Sequence, residues 1–228
     1  ILETIYDSEF GLKLVFMGGT AARIIHGNTR FSEDIDFDNL GLDPKDFEKL
    51  TRLIQRRLKF EGYDAEVKNV FRHAFTCKIN IPSVLFESSL SSHRQEKLLI
   101  KLNSEPQNFS YQPDKVILNK FDVFLRINVV PVDILLAQKI YAIFNRPRPM
   151  GRDFYDTVFL LGKAKPNLGY LQSRLKISSG ADLRKRLLKR CEKLDFKKLA
   201  KDVEQFLFVP ADAKKVLYFC QYVREIDF

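Results

Sequence analysis

The chain has 228 residues, 45% of them apolar, and a formal net charge of +9, enough for one domain with a sizeable core or a domain with a helical extension. No apolar run approaches the roughly eighteen residues of a transmembrane helix, and no charged-then-apolar leader argues for secretion. Cys77, Cys191 and Cys220 are widely spaced and form no C-x-x-C pair, so the expectation is a protein of the reduced cytoplasm without a membrane partner.

Residues 13–17 read as a buried strand, 20–26 as a short helix stopped by Gly27, and 35–38 as a second strand. Asp43 and Pro44 then open a helix, a capping acid followed by proline at the first helical position. Phe47, Leu50, Ile54 and Leu58 form its apolar face and Gly62 ends it. Alternation predicts strands over 63–70 and 74–81, with further strands near 97–102 and 124–130. After Pro131 the pattern is helical, over 132–144, 152–161, 181–194, 197–206 and 211–224. Strands first and helices afterwards predict an α+β protein with a mixed sheet and flanking helices. Its catalytic core is expected over 1–130. A mainly helical part over 131–228 is expected to complete the cleft.

The most informative segment runs from Phe16 to Asp38. Gly18-Gly19-Thr20 follows an apolar strand, and Asp34-Ile35-Asp36 follows one helix later. On a strand, the period of two puts both carboxylates on one face. They repel each other unless a divalent cation sits between them. A glycine pair and a hydroxyl at a helix start suit phosphate oxygens, because backbone N–H groups point there. Taken singly, Gly-Gly-Thr also fits a common turn and cap, and Asp-x-Asp a solvated strand edge.

Two further features lie beyond the strands. Lys139 sits in the largely apolar helix 135–143, either as a snorkelling edge residue, which composition alone favours, or as a cation aimed into a cleft. Gly151-Arg-Asp-Phe-Tyr-Asp156 places Asp153 and Asp156 on one helical face. Capping of the helix dipole accounts for one acid and leaves Arg152 and the second acid unexplained. The tract 163–201 carries 13 Lys or Arg against 3 acids, so it holds the whole positive excess. It reads as a contact for a polyanion, RNA or DNA, or as a solvated lysine-rich face.

The blocks Gly18-Gly-Thr-Ala, Arg30-Phe-Ser-Glu-Asp-Ile-Asp-Phe-Asp38, Lys139 and Gly151-Arg-Asp-Phe-Tyr-Asp156 resemble the AbiEii/AbiGii-type nucleotidyltransferase toxins, of the DNA-polymerase-β-like superfamily. The resemblance covers about residues 12–165. It implies transfer of a nucleoside monophosphate from an NTP with release of pyrophosphate. Asp34 and Asp36 would bind Mg²⁺, and Gly18, Gly19, Thr20 and Ser32 would contact the nucleotide. Lys139 would contact the triphosphate, and Asp153 would orient the acceptor or the lysine. The expected activity is that of a toxin–antitoxin or phage-defence toxin, with an antitoxin as a possible partner. RNA, such as a tRNA 3′ end, is the leading acceptor given the basic tract; a protein hydroxyl is the alternative. One departure stands out. Relatives tend to carry a third acid near the position of Lys101, and Asn103 is the next residue on that face. An ammonium neither binds Mg²⁺ nor accepts a proton, so a degenerate nucleotide- or RNA-binding module is the non-catalytic alternative.

Overall fold

The computed structural model describes residues 1–120 and 122–228. Contacts divide it into two units, one of residues 1–21 and 33–130, the other of 22–32 and 131–228.

The first unit is a seven-stranded mixed sheet with flanking helices. In chain order it holds α1 (Leu2–Tyr6), β1 (Leu14–Met17), the start of α2 (Gly18–Ile24), β2 (Asp34–Asn39), α3 (Pro44–Phe60), β3 (Glu66–Phe71), β4 (Phe75–Pro82), α4 (Val84–Glu87), β5 (Lys97–Glu105), β6 (Asp114–Lys120) and β7 (Val123–Val129). The strand order is β3-β4-β5-β2-β1-β7-β6. β2 runs antiparallel to β1 and parallel to β5, so the acid-bearing strand is central and paired on both sides. Phe16 and Phe37 face each other in the β1–β2 register, with ring centroids 5.7 Å apart and no exposure. Their burial fixes which way β2 faces, because a one-residue slip would turn Phe37 out and the aspartates in.

α3 follows the sequence expectation closely. The Asp43 carboxylate accepts the Asp46 N–H at 2.8 Å, and Pro44 takes the first helical position. Phe47, Leu50, Ile54 and Leu58 are buried, with the Phe47 ring 6.0 Å from Phe71 and 5.6 Å from Phe75. β6 was not expected. It is an edge strand paired only with β7 among the described residues. Asp114, Lys115, Asn119 and Lys120 mask its short apolar run, in which Leu118 is buried and Ile117 exposed.

The second unit is helical: α5 (Val132–Asn145), α6 (Gly151–Leu161), α7 (Leu168–Leu175), α8 (Gly180–Cys191), α9 (Phe196–Glu204), α10 (Lys214–Leu217) and α11 (Phe219–Glu225). α5 is apolar nearly all round and is accordingly buried through Leu135, Leu136 and Ile140. Phe154 of α6 packs edge-on against Phe196 and Phe219, at 5.4 and 5.0 Å. Gly151 lets α6 approach α9 closely. A Cβ there would run into the Leu199 carbonyl, and its N–H is taken by the Asp202 carboxylate at 2.9 Å.

Three expectations need correction. The single helix over 211–224 is interrupted, as a 3-10 turn Pro210–Ala213 followed by two helices with Tyr218 non-helical between them. α7 lay outside the expected helices; the Asn167 side chain caps it by accepting from Tyr170 N. The first part is not one continuous stretch 1–130. Residues 22–32 pack with the chain after Pro131, because Asn28 and Arg30 bind Asp156 and the backbone of 29–31 pairs with 206–208.

Candidate active site

In the first unit, Asp34, Asp36 and Asp38 project from one face of β2 at the strand period. Their register partners on β5 are Lys101, Asn103 and Glu105. The three carboxylates differ in how far they are satisfied. Asp38 is buried, its oxygens accepting from Gln107 N at 2.8 Å and Tyr111 OH at 2.7 Å. Asp36 accepts from Asn103 Nδ2 at 3.0 Å, and the Asn103 oxygen accepts in turn from the Thr76 hydroxyl at 3.0 Å. Asp34 is a third exposed and lies 3.7 Å from the half-exposed Lys101 ammonium, a loose contact worth little in water. Lys101 therefore stands beside the acid pair, at the position where the resemblance anticipates a third acid.

Gly18 closes the other side of Asp36. Its φ is +80°, and a Cβ built on it would come within 2.9 Å of the Asp36 Cβ, so both conformation and space call for glycine. Gly19 and Thr20 are buried in the first turn of α2, and the Thr20 hydroxyl donates to the Asp34 main-chain carbonyl. Thr20 thereby ties the Gly-Gly turn to the start of the acid strand.

These groups suit a divalent metal that a substrate shares. Mg²⁺ commonly takes one or two protein carboxylates and completes its octahedron with phosphate and water oxygens. Asp34 and Asp36 supply that number on one face. Among the described residues no group of three or more His, Cys, Asp or Glu side chains forms a metal cage.

The second unit holds Lys139 and both acids of the 151–156 block. Lys139 Nζ lies 2.8 Å from Asp156 Oδ2. Arg30 meets the same carboxylate through Nε at 2.5 Å and a second guanidinium nitrogen at 2.6 Å, and Asn28 Nδ2 donates at 2.8 Å. Asp156 has no exposure. Burial alone would raise its pKa, but Lys139 and Arg30 outweigh that and bring it down to about 2. Asp153 is equally buried and takes a different partner, Arg146 Nε at 2.7 Å. The acid that orients Lys139 is thus Asp156, three residues beyond Asp153. Ser32 is half-buried just before the acid strand.

Gly18, Thr20, Asp34 and Asp36 are therefore brought together in the first unit, while Lys139 and Asp153 sit in separate ion pairs of the second. The residues missed were Asn28, Arg30, Asp156, Thr76 and Asn103 as orienting groups. Arg30 and Asp156 already stood inside the two motif blocks. Their meeting across 126 residues has no local signal.

A central strand with two same-face aspartates, set against a Gly-Gly turn on a mixed sheet, defines a nucleotidyltransferase-like fold. Two solved structures share it. JHP933 from Helicobacter pylori superposes with a TM-score of 0.56 at 16% identity, over 98% of this chain and 87% of that one. A candidate nucleotidyltransferase from H. pylori gives 0.53 at 17%, over 98% and 90%. No curated protein matches the sequence. The family model described as nucleotidyl transferase AbiEii toxin, type IV toxin–antitoxin system, matches residues 1–215, and the chain belongs to that family.

Proposed function

We propose that this protein is a Mg²⁺-dependent nucleotidyltransferase that moves a nucleoside monophosphate from an NTP to an RNA acceptor, a tRNA 3′ end being the leading candidate, and that an antitoxin restrains it. The observation that carries this reading is the pair Asp34 and Asp36, half-buried on one strand face, with Asp36 pressed against Gly18.

Bound Mg²⁺ would supply neutralisation of the charge on the phosphates and of the charge that develops around the α-phosphorus. Asp34 and Asp36 would hold the ion. Asn103, itself fixed by Thr76, keeps Asp36 in its rotamer. The backbone N–H groups of Gly18 and Gly19, at the start of α2, would take the phosphates. Asp156, itself fixed by Arg30, holds Lys139 in place, and Asp153 anchors the start of its helix through Arg146. Positioning and electrostatics account for phosphoryl transfer without a covalent intermediate on the protein.

The acceptor reading rests on charge. Arg186, Lys189, Arg190 and Lys193 recur at one-turn spacing along and just past α8, and with Phe144 they line a depression of about 350 Å³. Arg186 pairs with Asp182 and Arg190 donates to a main-chain carbonyl, which leaves a net cationic face for phosphates. A second reading has one observation behind it: Lys101, 3.7 Å from Asp34, partly satisfies a metal-binding acid and suits a nucleotide-binding protein without turnover.

The test incubates protein, Mg²⁺ and each labelled NTP in turn with total RNA. Label entering RNA with wild type and not with Asp36→Ala is the expected result. Label entering protein instead would replace the acceptor. Equal silence of both proteins, with Mg²⁺-dependent NTP binding intact, would establish the second reading.

A further inference from the structure

We infer that Phe31 and Phe208, with Arg23, form a stacking platform for a nucleobase. The backbone explains why they stand together. Phe31 N donates to Phe206 O at 2.7 Å and Phe208 N to Thr29 O at 3.2 Å, around the antiparallel bridge between Arg30 and Leu207. Alternation along these two short segments turns Arg30 and Leu207 inward, at 2% and 6% exposure. It turns Phe31 and Phe208 outward, at 49% and 46%. Behind the bridge, Arg30 is locked by Asp156, so the outward pair rests on a rigid support.

The pair has the shape of a ligand surface. Its ring centroids are 4.5 Å apart at an interplanar angle of 75°, so one ring offers its edge to the face of the other. The Arg23 guanidinium lies 5.0 Å from one centroid and 5.2 Å from the other, adding a flat cation to two flat apolar groups. Aromatic faces combined with an arginine are what proteins offer to unstacked bases, whose π-faces they accept with little regard to sequence. Half-exposed phenylalanines on a fixed backbone leave that surface in water until something planar covers it, and little side-chain entropy is lost when it does. Phe31 also lies only three residues before Asp34 in the chain. The ligand class is therefore a nucleobase, supplied either by the NTP or by the terminal nucleotide of an RNA. This inference rests on the nucleotide reading above for the class of ligand, and on the second unit's own geometry for the place.

The experiment measures equilibrium binding of the full chain to two pairs of labelled ligands: an NTP against ribose 5-triphosphate, and a short single-stranded RNA against the same RNA with an abasic 3′ end. The proteins are wild type, the double variant Phe31→Leu/Phe208→Leu, and Phe31→Tyr. Leucine keeps apolar bulk and removes the π-face; tyrosine keeps the face. Wild type is expected to prefer a base-bearing ligand about tenfold or more over its base-less partner. The Leu variant should lose that preference while binding base-less ligands normally, and Phe31→Tyr should stay within about twofold of wild type. Loss of preference in the NTP pair assigns the platform to the substrate, and in the RNA pair to the acceptor. An equal loss on base-less ligands, or an unchanged preference, would overturn the inference. If wild type binds all four ligands through Asp34 and Asp36 with no base preference, the platform fails and the function stands. If it binds none of them, both fail.

Discussion

Asp36 and Asp156 are the same residue in opposite situations. Asp36 sits half-buried on a strand, holding a neutral amide and lying beside a glycine, with a second acid two residues away. Asp156 is fully buried on a helix, bound by two cations and an asparagine, and its pKa is driven to about 2. A carboxylate whose charge the chain itself neutralises contributes to structure. A half-buried pair on one strand face suits a cation that arrives with substrate. On the proposed function, the difference assigns stability chiefly to the Asp156 network and chemistry chiefly to the β2 face.

That division can be broken most sharply by exchanging the two losses. Asp36→Asn is expected to lower nucleotidyl transfer by about a hundredfold or more while leaving the thermal midpoint within about 2 °C of wild type. A matching fall in stability would erase the distinction. Asp156→Asn should do the reverse, because it strands Arg30 and Lys139 as uncompensated buried cations. A loss of about 3–5 kcal/mol is expected for a broken buried pair, read by denaturant unfolding of the second unit's helices. A change under about 1 kcal/mol would show that the network is not structural.

Acid sharpens the same contrast. Asp156 has a folded pKa of about 2 against an ordinary value of 3.8. Its contribution is therefore complete above about pH 4 and is lost as the pH falls toward 2. Wild type should lose stability over that window, and Asp156→Asn should lack this step. The smallest effect belongs to Lys101. Replacing it with Gln removes a half-exposed cation 3.7 Å from Asp34 and should tighten Mg²⁺ binding by about two- to fivefold. Weaker binding would mean that Lys101 supports the site rather than competing with the metal.

How much of this could be read from the sequence differs between the two regions for a physical reason. α3 and the face of β2 were legible because capping, a 3.6-residue period and a two-residue period are local. Asp34 and Asp36 share a face by strand geometry, and the β2–β5 pairing sets Lys101 and Asn103 beside them, a neighbourhood that the resemblance implied and no local pattern showed. Asp156 was visible only as an unexplained second acid. Its partners Asn28 and Arg30 come from the other end of the chain, and no periodicity links residue 30 to residue 156. The same long-range pairing moved residues 22–32 into the helical unit and turned Phe31 outward. β6 was obscured because charged edge residues dilute its alternation.

The most direct test of this account is a Mn²⁺ titration followed by electron paramagnetic resonance, with Mn²⁺ standing in for Mg²⁺ and a non-hydrolysable NTP analogue present. Wild type and Asp153→Asn should bind the ion, and the double variant Asp34→Asn/Asp36→Asn should not. Undiminished Mn²⁺ binding by that double variant would contradict the assignment of the chemistry to the β2 face.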